Sequence, residues 1–207
     1  SSQNIVAVSR GLVGSSSSMI SGSSSSSRTS ASLVFCPPLS AEQRDSLKAG
    51  EMVLLSGVMY TARDAAHKRL IEMLDRGETL PLPLVDQTIY YVGPTPAPQG
   101  HVYGSAGPTT SMRMDAYAPR LYDLGVGITI GKGYRTAPVR EACVRNHALY
   151  LVAIGGAGAL LGKCVQRVDP VAFEDLGAEA ITRIEVKDFP ATVAIDTAGS
   201  DVYAQQR

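Results

Sequence analysis

Val126-Gly127-Ile128-Thr129-Ile130-Gly131-Lys132-Gly133 is a short apolar run closed by glycines on either side of a lysine. From Val126 to Ile130 the β-branched side chains favour a strand, and Gly131 ends it. Just upstream, Met114, Tyr117, Leu121 and Leu124 recur at helical spacing, with Pro119 set to kink that helix or to open a second one. Downstream, Thr136 stands where it can cap a helix carrying Val139, Ala142 and Cys143, and Ala148 to Ile154 reads as a buried strand ending at Gly155-Gly156. Helix, strand, helix, strand is the signature of an α/β fold whose sheet is at least partly parallel. In such sheets ligands gather at the carboxyl ends of the strands, which is where Lys132 leaves.

The alternation extends in both directions. Met52 to Tyr60 is β-like, and Arg63 to Arg76 places Ala66, Leu70, Met73 and Leu74 on one helical face, with Thr61 as the expected cap and Asp64 completing a weak capping box. Thr88 to Val92 is a strand followed by the stiff loop Pro94-Thr95-Pro96-Ala97-Pro98. After Gly155-Gly156 a glycine-rich helix is expected, then a strand from Val168 to Phe173, a helix near Ala178 to Ile184, and a strand from Thr192 to Ile195.

The chain has 207 residues, enough for one domain plus a tail, and 19 basic residues balance 19 acidic ones. That balance removes the broad basic field expected of nucleic-acid or anionic-membrane binding, so anion recognition must be local. The longest apolar run, Ala148 to Leu161, is interrupted by Gly155, Gly156 and Gly158 and is too short for a membrane span. Cys36, Cys143 and Cys164 are widely spaced, with no C-x-x-C pair, and read as structural thiols of a reducing compartment rather than as a metal site within this chain. Residues 1–38 form a serine-rich extension that carries Arg10 and Arg28 and no acid; residues 39–207 form the domain. The extension is either transit-peptide-like, which points to the mitochondrial matrix rather than the cytoplasm, or wrapped on a partner subunit.

Three junctions place positive charge beside an expected helix start. Gly107-Pro108-Thr109-Thr110-Ser111-Met112-Arg113-Met114-Asp115 combines helix-capping hydroxyls, free first-turn amides and a guanidinium. Thr61-Ala62-Arg63-Asp64 and Gly131-Lys132-Gly133 repeat the theme, so a small acidic guest is the natural ligand. Each junction also has a plainer reading: a local Arg63–Asp64 pair, a turn around Lys132, and simple capping by Thr109 or Thr110. Nucleotide patterns fail on spacing. A phosphate loop would need glycine at Val126 and a hydroxyl at Gly133, and a dinucleotide fingerprint starting at Gly156 would need glycine at Leu161. His67, His101 and His147 form no triad spacing with a nucleophile and read as surface or packing residues, and there is no Gly-x-Ser-x-Gly elbow.

Taken together, Thr61-Ala62-Arg63-Asp64-Ala65-Ala66-His67, Tyr91-Val92-Gly93-Pro94-Thr95, Ser105 to Asp115, Ile130-Gly131-Lys132-Gly133 and Gly155-Gly156-Ala157 resemble the C-terminal domain, or separate β subunit, of the iron–sulfur class I fumarases and the related tartrate dehydratase β subunit. The resemblance covers about residues 39 to 203. It implies a swivelling β/β/α three-layer domain with mixed sheets, and reversible hydration of fumarate to malate or dehydration of tartrate, a step of the tricarboxylic acid cycle in the first case. It further implies a [4Fe-4S] cluster held by a cluster-bearing α subunit, without which this chain is inactive, and a hetero-oligomer built of such pairs. Carried over by motif, Thr109 is the base, Arg63, Arg113 and Lys132 bind substrate carboxylates, and Thr61, Asp64, Thr110, Asp115, Gly131 and Gly133 support them. The competing expectation is an accessory subunit of a larger complex that keeps the fold without turnover.

Overall fold

The computed structural model describes residues 33–154 and 156–204; residues 1–32 of the serine-rich extension, Gly155 and residues 205–207 lie outside them. In chain order the elements are β1 (Leu33–Phe35), α1 (Ala41–Ser46), β2 (Met52–Thr61), α2 (Asp64–Asp75), β3 (Thr88–Tyr90), a 3-10 turn (Ser111–Met114), α3 (Ala118–Asp123), β4 (Ile128–Gly131), α4 (Ala137–Arg145), β5 (Leu149–Val152), α5 (Gly158–Cys164), β6 (Val165–Ala172), a second 3-10 segment (Glu174–Glu179) and β7 (Ile181–Ile195). The fold is α/β with a mixed sheet. Strands β1 to β5 run parallel to their neighbours, whereas β7 is antiparallel to β2, β5 and β6.

β7 gives the sheet its shape. At 15 residues it is long enough to pair with β2 along Thr182 to Thr192 and then with β5 along Thr192 to Ile195, so the order β2-β3-β4-β5-β7 closes on itself. Strands β2 to β5 therefore deliver their carboxyl ends to one rim.

Alternating side chains divide the apolar residues into two layers. Tyr90, Ile128, Ile130, Leu149, Leu151, Ile184, Phe189 and Val193 belong to one cluster, and Ile89, Tyr91, Tyr150 and Ala194 pack with Leu70 of α2, Leu121 and Tyr122 of α3 and Val139 of α4 in the other. Both strand faces are covered, which is why β4 and β5 read as continuous apolar runs.

The structure corrects several local expectations. Thr61 does not cap α2; it is the last residue of β2, and its hydroxyl lies 2.7 Å from that of Thr182 and accepts from the Thr182 amide at 3.1 Å. Arg63 is the N-cap, without a side-chain bond, and Glu179 accepts from the first-turn amide of Ala65 at 3.0 Å instead. Neither Thr110 nor Thr136 caps through its side chain. Pro119 opens a separate short helix, the second of the two outcomes expected for it. The helix expected near Ala178 to Ile184 is absent, because Ile181 opens β7 and Ile181, Ile184 and Val186 are all buried in the ladder.

Phe189 closes the sheet from within, fully buried with its ring edge-on to Tyr90 at a centroid distance of 5.1 Å. Phe189→Ala should destabilise the fold by about 3–5 kcal/mol, read as a lowered urea midpoint. A loss below about 1 kcal/mol would mean that this closure is not a structural requirement.

Candidate functional site

Four segments meet at the rim where the parallel strands end. Arg63 follows β2, Tyr91 to Gly93 follow β3, Lys132 follows β4, and the strap from Pro108 to Asp115 crosses them. Backbone hydrogen bonds tie these segments into a ladder. The Thr109 amide donates to the Tyr91 carbonyl at 2.7 Å, the Lys132 amide to the Thr109 carbonyl at 3.2 Å, and the Ser111 amide to the Lys132 carbonyl at 2.9 Å. Thr109 and Lys132 are thereby neighbours. A side chain at Gly93 would come within 2.5 Å of an Arg63 terminal nitrogen, so the absent Cβ is what lets that guanidinium lie across the loop.

Arg63 and Arg113 are joined by a shared carboxylate. Arg113 donates from Nε to one oxygen of Asp64 at 2.9 Å, and Arg63 lies 3.5 Å from the other and 3.4 Å from Glu179. Lys132 is exposed and has no carboxylate partner among the described residues. The Thr109 hydroxyl also bonds to no described side chain. Thr109 and Lys132 are thus adjacent along the ladder, Arg63 and Arg113 share Asp64, and the Arg63–Asp64 pair of the plainer reading is present as well.

The strap is fixed from below by a network with little sequence signature. Arg135, whose side chain is wholly buried, donates to Asp115 at 2.6 Å and to the Thr129 hydroxyl at 3.2 Å, while its guanidinium lies 4.8 Å from the Tyr150 ring and 5.4 Å from that of Tyr91. The other Asp115 oxygen accepts from the Thr136 amide at 2.7 Å. Tyr150 donates to the Gly133 carbonyl at 2.6 Å and lies 2.9 Å from the Ser111 hydroxyl. Ser111 sits in the notch that Gly131 leaves, where any Cβ would collide with its Oγ. Gly133 has φ +82°, a conformation costly for other residues, and it turns Lys132 away from the strand. Asp115, Gly131 and Gly133 support the strap in this way, whereas Thr61 faces Thr182 and Thr110 is exposed at the start of the 3-10 turn.

Arg135, Glu179 and His67 were not singled out as site residues from the sequence. His67 is fully buried, donates from Nδ1 to the Arg63 carbonyl at 2.8 Å, and meets the Tyr91 ring edge-on. Packing was one of its two expected roles. A surplus of tyrosine over phenylalanine, 9 against 3, was the available hint of buried polar networks.

Two clefts flank this patch without containing its four principal side chains. One of about 180 Å³ is lined by Tyr134, Thr136, Arg140 and Tyr203, and one of about 220 Å³ by Thr95, His101, Ser105 and Lys163. Among the described residues no cluster of three or more His, Cys, Asp or Glu side chains is arranged for a metal ion, and no helix is long and apolar enough to cross a membrane. The three cysteines do not suit a shared cluster. Cys36 is exposed, Cys143 is buried with its thiol pushed up to about 11 by desolvation, and Cys164 is half-buried with its thiol raised by burial.

The fumarase C-terminus family model matches residues 16–206. The chain belongs to that family. It is 42% identical over 166 residues to fumarate hydratase 2 of Leishmania major and 42% identical over 153 residues to the aerobic class I fumarate hydratase of Escherichia coli K12. These alignments cover 79% and 73% of this chain but only 29% and 28% of those relatives. The L(+)-tartrate dehydratase subunit beta of Escherichia coli is 31% identical over 179 residues, covering 84% of this chain and 88% of that subunit. The family member described here therefore matches the fumarate hydratases over less than a third of their length and the tartrate dehydratase subunit over nearly all of it.

Removing Arg135 leaves Asp115 without its buried cation, a change worth about 3–5 kcal/mol. Arg135→Met should lower the unfolding midpoint accordingly, and protease should cut the strap between Pro108 and Asp115 faster than in the native chain. Burial of His67 lowers its pKa from 6.5 to about 4. The unfolded chain thus binds the extra proton first as pH falls, so this residue's stabilisation is complete above about pH 6.5 and is lost towards pH 4. Urea unfolding at successive pH values should show that slope in the native chain and a flatter one in His67→Gln.

Proposed function

We propose that this chain is the β subunit of a heteromeric iron–sulfur hydro-lyase that adds water reversibly to fumarate, giving malate, or dehydrates tartrate. The carrying observation is the rim itself, where backbone pairing sets Thr109 beside Lys132 and the Asp64 carboxylate joins Arg113 to Arg63 at the carboxyl ends of parallel strands. A dicarboxylate fits this set, because two guanidiniums and an ammonium offer more positive charge than Asp64 and Glu179 neutralise.

In the dehydration direction, Thr109 takes the proton from the carbon next to a carboxylate. The electron pair of the broken C–H bond moves onto that carboxylate and returns to form the C=C bond as the C–O bond of the adjacent carbon breaks. The C–O pair leaves as hydroxide, which the proton taken by Thr109 balances as water, and the cluster of the α subunit would supply Lewis acidity towards that leaving oxygen. An alcohol is a weak base in water, so this role requires Thr109 as alkoxide, favoured by the neighbouring cations once water is excluded. The cations also hold the charge that develops on the carboxylate. A partner that covers the rim supplies the exclusion of water. In this reading the cluster is held by that α subunit, as the resemblance to the class I fumarases implies. The swivelling three-layer arrangement is part of the same reading, with the rim as the face that turns towards the partner. A mitochondrial matrix setting accords with Arg10 and Arg28 in the acid-free extension and with the similarity, at 39% identity, to fumarate hydratase 1, mitochondrial, of Leishmania major.

The test is anaerobic mixing of the purified chain with its cluster-bearing partner. Turnover of fumarate or tartrate should appear only in the mixture, and Thr109→Ala should reduce kcat by about 10²–10⁴-fold while Thr109→Ser retains more. Absence of turnover with both substrates, or full activity of Thr109→Ala, would overturn the proposal.

A further inference from the structure

We infer that Asp64 is a positioning residue of the dicarboxylate site, one that presents Arg113 to the ligand while holding Arg63 beside it. The inference rests on the reading of the rim as a dicarboxylate site and goes beyond it, because an acidic residue is the last type expected to favour an anionic ligand. Asp64 opens α2, whereas Arg113 lies in the 3-10 turn of the strap, so their bond spans 49 residues of chain. It joins two elements that no strand pairing connects.

The geometry separates orientation from competition. Asp64 engages only the Nε of Arg113, and the two terminal nitrogens of that guanidinium bond no described residue. The terminal edge is therefore free for a carboxylate in bidentate geometry. The Arg113 side chain is 55% exposed and has little packing to order it. A free arginine carries rotamer entropy that a ligand would otherwise have to offset. Asp64 meets that cost in advance. Its second oxygen is buried, bonds nothing and faces Arg63 at 3.5 Å, so the carboxylate cannot turn away without abandoning one guanidinium. Glu179 takes the other side of Arg63 and at the same time accepts from the Ala65 amide, which leaves Asp64 free for the bridge. Coulomb repulsion between Asp64 and an incoming carboxylate is the opposing effect, and it is offset because each Asp64 oxygen already faces a guanidinium.

The experiment titrates the purified chain with fumarate and with tartrate, following the Arg113 Nε–H resonance by NMR in the native chain, Asp64→Asn and Asp64→Ala, with thermal unfolding of each. Asp64→Asn keeps an oxygen that accepts from Nε; Asp64→Ala does not. Asp64→Ala should weaken binding at least about tenfold and broaden the Nε–H signal, with Asp64→Asn intermediate and both variants folded. A purely structural role at the start of α2 would lower the unfolding temperature and leave the affinity of the folded protein unmoved, which would overturn the inference. Unchanged or tighter binding by Asp64→Ala would do the same, as would absence of binding to the native chain. Dicarboxylate binding that depends on Asp64, in a chain whose complex with the partner turns over neither substrate, would support the inference and sink the hydro-lyase reading instead.

Discussion

A single buried cation organises the rim. Arg135 enters the layer between the sheet and helices α3 and α4, where the rings of Tyr91 and Tyr150 take the place of water around its guanidinium. Such a charge is tolerated only when it is paired and hydrogen-bonded. Asp115 is the acid that pairs it, and Asp115 sits two residues after Arg113. Arg135 itself lies three residues after Lys132. The requirement to neutralise one guanidinium therefore couples the strap to the end of β4, and with it fixes Thr109 and Lys132 in register.

The closure of the sheet sets where that coupling occurs. Because β7 pairs with β2 along most of its length and passes on to β5, the parallel strands cannot splay, and their carboxyl ends converge on the same edge. Ser111 completes the fit by dropping into the space above Gly131, with Tyr150 holding its hydroxyl. A larger residue at Gly131 would lift the strap from the sheet, whatever its effect on β4 itself.

The parts legible in the sequence are those decided by neighbours. β2, β4, β5 and α4 follow from apolar periodicity and glycine or proline punctuation, and the places of Arg63, Thr109, Arg113 and Lys132 beside strand ends and expected helix starts follow from the same punctuation. β7 was not legible in full, because Ala178-Glu179-Ala180 favours a helix and Ile181 and Ile184 satisfy a helical spacing as well as a strand buried on both faces. Pairing with β2, over a hundred residues away, decides between them. Thr61 misled for the same reason: a threonine before a helix resembles a cap, but its β-branched side chain also suits the end of a strand, and Thr182 was the unseen partner. Arg135 and Glu179 escaped notice because the residues that give them meaning, Asp115 and Arg63, are distant in sequence.

In the proposed heteromeric enzyme, an open rim lets the same cations be weak in the isolated chain and strong once a partner covers them. Solvated ion pairs and exposed ammonium groups contribute roughly 0–1 kcal/mol, since water competes for every charge. Covering the rim removes that competition, and the attraction of Arg63, Arg113 and Lys132 for a dianion rises several-fold as the effective dielectric falls. Arg113 and Lys132 are exposed in this chain, and the flanking clefts do not enclose them. The fixed backbone ladder is then what matters in the uncovered state: it holds geometry, at little electrostatic gain, until a second surface makes that geometry count.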